Sequence, residues 1–166
     1  MQGSRYDLRP EDELVQDFIA AASEHYEDGS VLLAGGRSYG SIYMAGYAAE
    51  MLLKSACFFF LGATAASRAE DFRRRAKSAA ETHGLDTSLA ESGHSVAYWY
   101  RLLLTLRRQA GRDSPFAREL QAHVVAIHSQ FFVEMRYRTG AASAVDARDV
   151  LAAVSWLEHN HRTLYT

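Results

Sequence analysis

The sequence predicts an all-α protein, an antiparallel bundle of five to six helices. Apolar residues recur at spacings of three and four along most of the chain, and no alternating run of strand type occurs. The only prolines, Pro10 and Pro115, stand where helices would begin. Glycines near 35–36, 62 and 84 punctuate the periodic segments, leaving short connections of the kind a bundle uses. At 166 residues the chain is expected to form one domain, 1–166, long enough to bury a sizeable core.

The first helix is expected from Pro10, with Glu11, Asp12 and Glu13 favouring the positive end of the helix dipole. Leu14, Phe18, Ala21, Ala22 and His25 follow on one face, and Gly35–Gly36 break the pattern unless Gly29 ends it earlier. The second helix, "SYGSIYMAGYAAEMLLKSACFFFLG", closes near Gly62. Its apolar residues Ile42, Ala45, Ala49, Leu52, Leu53, Ala56, Phe59 and Phe60 cover more than one face, so it should lie centrally. Ser41, Ala45, Gly46, Ala48 and Ala49 are small enough to let neighbouring backbones approach. The third helix, "ASRAEDFRRRAKSAAETHGL", stops where His83, Gly84 and an apolar Leu85 make a helix end. The fourth, "HSVAYWYRLLLTLRRQAG", should start near Ser92 or His94. The fifth runs from a Ser114 cap through Pro115 to Arg136, and the sixth is capped near Asp146.

Charge and cysteine content narrow the function classes. A net charge of -2 argues against a general nucleic-acid coat or a membrane-surface role. Cys57 is the one cysteine, which leaves no disulfide framework within the chain and no cysteine zinc site. A reducing, cytoplasmic setting follows as the simplest expectation, with no signal-peptide pattern at the N-terminus. All but Lys54 and Lys77 of the 18 basic residues are Arg, a hint of a GC-rich bacterial genome.

Residues 41–62 have about the length of a membrane span, roughly 20 residues. Glu50 and Lys54 at their centre would each cost roughly 2.5–3.5 kcal/mol there, so a span is not expected. In water, Glu followed by Lys at i+4 is a favourable pair on one stripe of a helix. Either that stripe is partly exposed or it faces a polar pocket or subunit interface.

Other motifs have bland readings. "GGRSYG" lacks a preceding strand and the Gly-Lys-Ser/Thr ending of a phosphate loop, and reads as a turn between helices. His159 and His161 are two apart and share no helical metal face, so neither metal nor cofactor is expected. "DFRRRAK" reads as a solvated basic strip that would also suit phosphates. "FFVEMRYRTG" clusters Glu134, Arg136, Tyr137 and Arg138 beside a helix end. It reads as a cationic helix terminus or as a recognition site for an anion or base.

Taken together, Ala45–Lys54 ("AGYAAEMLLK"), the turn His83-Gly84-Leu85 and the element Glu134-x-Arg136-Tyr137 resemble the HEPN family, the higher-eukaryote and prokaryote nucleotide-binding domains. The resemblance covers roughly residues 12–163. It implies a helical bundle acting as a homodimer, a nucleotide, RNA or protein partner, and a role in a toxin–antitoxin or defence system, often beside a small nucleotidyltransferase. Apart from the resemblance, buried charge persists only when paired, so Glu50 and Lys54 are expected to approach His83 or the Glu134, Arg136, Tyr137 element, as a polar lock or a ligand pocket. Active relatives resemble metal-independent ribonucleases that use an Arg/His pair four to six residues apart. There His would be the acid/base and Arg would stabilise the phosphate transition state. No His follows Arg136 or Arg138 at that spacing; the formal match is "RELQAH", Arg118 to His123.

Overall fold

The computed structural model describes residues 13–88, 95–112, 115–131 and 142–166. The helices of the described residues form a bundle: α1 (Val15–Ala34), α2 (Ser38–Phe60), α3 (Ala69–Thr82), α4 (Val96–Gln109), α5 (Pro115–His128), α6 (Ala144–His159) and α7 (His161–Tyr165). An isolated bridge between Leu14 and Arg68 is the β-type pairing among the described residues.

Helix α2 is central, as its all-round apolar pattern predicts, and touches each of the other helices. Ala45, Ala48, Ala49, Leu53 and Ala56 are fully buried. Small side chains bring α1 close: the missing Cβ of Gly29 faces Ser41 O at 3.2 Å and Ala45 N at 3.5 Å. Gly29 is therefore a contact point within a continuous α1, and the helix ends only at Gly35–Gly36.

Helix ends follow local chemistry, with some corrections. Helix α3 ends in a Schellman motif: Gly84 has φ +65, Gly84 N–H donates to Glu81 O (3.1 Å), and Leu85 N–H donates to Ala80 O (3.0 Å). Helix α1 begins at Val15, later than expected. Leu14 before it is extended, Glu13 O accepts from Ala69 N–H, Val15 N–H donates to Ser67 O and Gln16 N–H to Ala65 O, so the first helical donors are satisfied by tertiary contact. Glu13 thus precedes the helix, and Pro10 lies outside the described residues. Ser95 caps α4, its hydroxyl accepting from Tyr98 N–H, whereas Ser92 and His94 are outside the described residues. Ser143 caps α6 and Asp146 is its third residue, closing a capping box. Helix α5 ends at His128, well short of Arg136. Beyond it the buried Phe131 turns inward onto Gly46, a contact that a continued helix is not required to make.

The sixth expected helix is broken at Asn160, where the short α7 starts. Buried His161 and Arg107 dock it. Ser55 Oγ hydrogen-bonds His161 Nε2 at 2.8 Å and lies 2.9 Å from Leu52 O, which ties α7 to α2. Arg107 donates to Thr163 O and Leu164 O, both at 2.7 Å.

No helix among the described residues is long and apolar enough to cross a membrane.

Candidate functional site

The Glu50–Lys54 pair is buried. Lys54 Nζ lies 2.9 Å from Glu50 Oε1, with side chains 9% and 2% exposed. Such a pair is costly to desolvate and holds only when its geometry is good. Here aromatic faces assist. The Lys54 ammonium is 5.4 Å from the Phe18 ring centroid and 5.3 Å from that of Trp99, both within cation–π range.

Two cavities meet at this pair. One, of about 440 Å³, lies over α1 and α2 and is lined by Phe18, His25, Tyr43, Tyr47, Glu50 and Met51, together with Glu13 and Met44. Tyr43 and Tyr47 pack edge to face with centroids 4.9 Å apart, and their hydroxyls hydrogen-bond at 3.1 Å. His25 Nδ1 is buried with no hydrogen-bond partner among the described residues. The other cavity, of about 250 Å³, lies between α2, α3 and α4 and is lined by Lys54, Glu70, Arg73, Arg74, Lys77, Tyr98 and Trp99. Four cationic side chains face one carboxylate there. Burial is the main cause that raises the Tyr98 phenol, so it remains a neutral donor at pH 7.

Lys54 and Arg73 belong to both cavities. Arg73 bridges them through its two terminal nitrogens: Nη2 to Glu13 Oε2 at 2.8 Å and Nη1 to Glu70 Oε2 at 3.2 Å. Arg74 pairs with Asp71 on the exposed side of α3 at 2.8 Å. The first cavity is thus charge-balanced and ring-lined, and the second is cationic. Together they suit a flat polar ring joined to an anion.

Of the residues expected in the polar cluster, the structure brings Glu50 and Lys54 together. His83 is exposed at the end of α3, where Gln109 Nε2 approaches its Nε2 to 2.7 Å, and it is not among the residues lining either cavity. The helix stop that ends α3 is sufficient to place it there. Glu134, Arg136, Tyr137 and Arg138 lie outside the described residues. Arg118 and His123 both lie on α5, but five residues separate them by about 140° around a helix, so they point apart. Arg118 is exposed, while His123 stacks on Trp156 with centroids 4.4 Å apart. Burial there lowers the His123 pKa, against the opposing pull of Glu119.

Sequence reasoning missed Phe18, His25, Tyr43, Tyr98 and Trp99 as lining groups, whereas Arg73, Arg74 and Lys77 belong to the basic strip it marked as suited to phosphates. Part of the signal was present. Tyr43, Tyr47, Glu50 and Lys54 follow spacings of four, three and four, so one helical stripe carries all of them. Phe18 and His25 repeat at seven on α1. That these two stripes face each other is a tertiary fact.

Among the described residues no group of three or more His, Cys, Asp or Glu side chains could hold a metal ion. No protein-family model, curated protein or solved structure matches this chain.

Proposed function

We propose that this chain is a HEPN-like helical binding module, acting as a homodimer, that takes a nucleotide or a nucleotide unit of RNA in the double cavity around Glu50 and Lys54. The observation that carries the reading is the shared wall: a ring-lined, charge-balanced cavity opens at Lys54 and Arg73 onto a cationic one. A base fits the first by stacking on tyrosine and phenylalanine faces. A phosphate fits the second, where Arg and Lys supply charge-assisted donors. Arg118 and His123 take no part in this binding. The family resemblance adds a toxin–antitoxin or defence setting and a small nucleotidyltransferase as the first protein partner to test.

Calorimetric titration with mononucleotides and a short single-stranded RNA tests the reading. Binding should weaken as salt rises. The double variant Arg74→Glu/Lys77→Glu changes two exposed side chains, so the fold should survive while affinity falls at least about tenfold. Absence of binding by every nucleotide and RNA at millimolar concentration would end the proposal. Sedimentation of a monomer at micromolar concentration would remove the dimer from it.

A further inference from the structure

Resting on that reading, we infer that the cationic cavity takes a chain of phosphates rather than a single one: the ligand is a nucleoside 5′-di- or triphosphate, free or at the 5′ end of an RNA. The placement of the cations carries this. Lys54 and Arg73 line both cavities, so a phosphate attached to a ring in the first cavity meets them first. Arg74 and Lys77 line the cationic cavity alone and are the cations for groups farther from the ring. Glu70, Arg73, Arg74 and Lys77 fall at i, i+3, i+4 and i+7 of α3, so they form one face about 10 Å long. A single phosphate group is shorter than this face.

Room and uncommitted donors point the same way. The cavity's volume of about 250 Å³ is the share of roughly eight waters at about 30 Å³ each, more than one phosphate group fills. Lys77 is exposed and makes no ion pair among the described residues. Arg74 makes one contact with Asp71, at 2.8 Å and with side chains 73% and 51% exposed. Such a pair is weak and leaves other N–H donors of the guanidinium to an anion. Glu70, the lining carboxylate, is engaged by Arg73 at 3.2 Å. Lys54 and Arg73 need not turn from their carboxylates, because they add positive potential where they stand. Each phosphate beyond the first therefore meets charge-assisted donors that no other group requires.

The test is calorimetric titration of the whole chain, in metal-free buffer, with the mono-, di- and triphosphates of adenosine and guanosine. In the better-binding series the triphosphate should bind at least about tenfold more tightly than the monophosphate, with the diphosphate between. Excess Mg²⁺ should weaken the triphosphate, because the chelate carries two fewer negative charges. Lys77→Gln removes one of the far cations and should cost the triphosphate about fivefold and the monophosphate less. Arg75→Gln is the control: it removes an equal charge from α3, but Arg75 lies over the Phe72 ring at 4.6 Å and is not among the lining residues, so affinity should hold within about twofold. An RNA with a 5′-triphosphate, set against the same RNA with a 5′-hydroxyl, separates the two sources. A gain like that of the free nucleotide assigns the cavity to RNA ends, and no gain assigns it to free nucleotides. If mono- and triphosphate bind equally, if Mg²⁺ tightens binding, or if Arg75→Gln costs as much as Lys77→Gln, the inference is overturned while nucleotide binding stands. If no nucleotide or RNA binds, both fall.

Discussion

Replacing Gly46 with alanine adds one methyl group to α2 and should destabilise the protein, although alanine is the better helix former by about 0.8–1.0 kcal/mol. A Cβ built on Gly46 falls inside the ring of Phe131, against Cδ2, Cγ and Cε2. Since Cγ is the root of the ring, rotation about χ2 cannot clear it. The side chain must leave its rotamer or the backbone must shift. Phe131 is 3% exposed and packs against Tyr47 at 5.7 Å and Tyr43 at 6.4 Å between ring centroids, so its neighbours give little room. Overpacking of this kind costs up to about 3 kcal/mol. Subtracting the helix-propensity gain leaves about 2 kcal/mol, or a fall in Tm of roughly 4–8 °C for a chain of this size. Helical ellipticity followed on heating reads it directly. Gly40→Ala is the control: its Cβ would meet only the tip of Leu32, at 3.3 and 3.8 Å, so it should be neutral or stabilising by up to about 1 kcal/mol. In a Phe131→Ala background, Gly46→Ala should cease to destabilise, because the partner is gone. A Gly46→Ala protein that melts with or above wild type would refute the close approach of Phe131.

Glu50→Ala breaks the buried pair with Lys54 and should cost about 3 kcal/mol, whereas Asp71→Ala, which breaks an exposed pair with Arg74, should cost under about 1 kcal/mol; urea denaturation compares them, and equal losses would contradict the burial of the first pair. Burial pushes the pKa of His161 down to about 4, against an opposing bond to the Leu52 carbonyl. The folded state thus prefers the neutral ring: its contribution is full above about pH 6.5 and is lost as pH falls toward 4, worth about 3 kcal/mol in all. Urea midpoints at pH 7.5 and 5 should therefore differ, with much of the difference absent in His161→Gln. Burial also raises the Cys57 thiol far above its ordinary range, so a thiol reagent should label the native protein only as fast as it unfolds.

Features set by a few neighbouring residues were legible in the sequence. Helical period and the Gly84 stop depend on contacts within a turn or two, and they appear where the pattern places them. The small residues of α2 and its all-round apolar character showed that it would be central. The Glu50–Lys54 stripe was visible as well, because i,i+4 geometry is local. What the stripe faces was not local. Phe18 and His25 arrive from α1, Arg73 from α3 and Trp99 from α4, and nothing in their own segments marks them as neighbours of Lys54. The start of α1 was misplaced for the same reason: its first donors are satisfied by carbonyls of Ala65 and Ser67, some fifty residues along the chain. Gly29, locally a helix breaker, is kept helical by close packing on Ser41 and Ala45, and Phe131 is seated in the notch that Gly46 leaves. Local free energies of a kcal/mol or so per residue determined the elements. The larger energies of burying rings and pairing charges, which join residues distant in sequence, decided where those elements meet and hence where the candidate site lies.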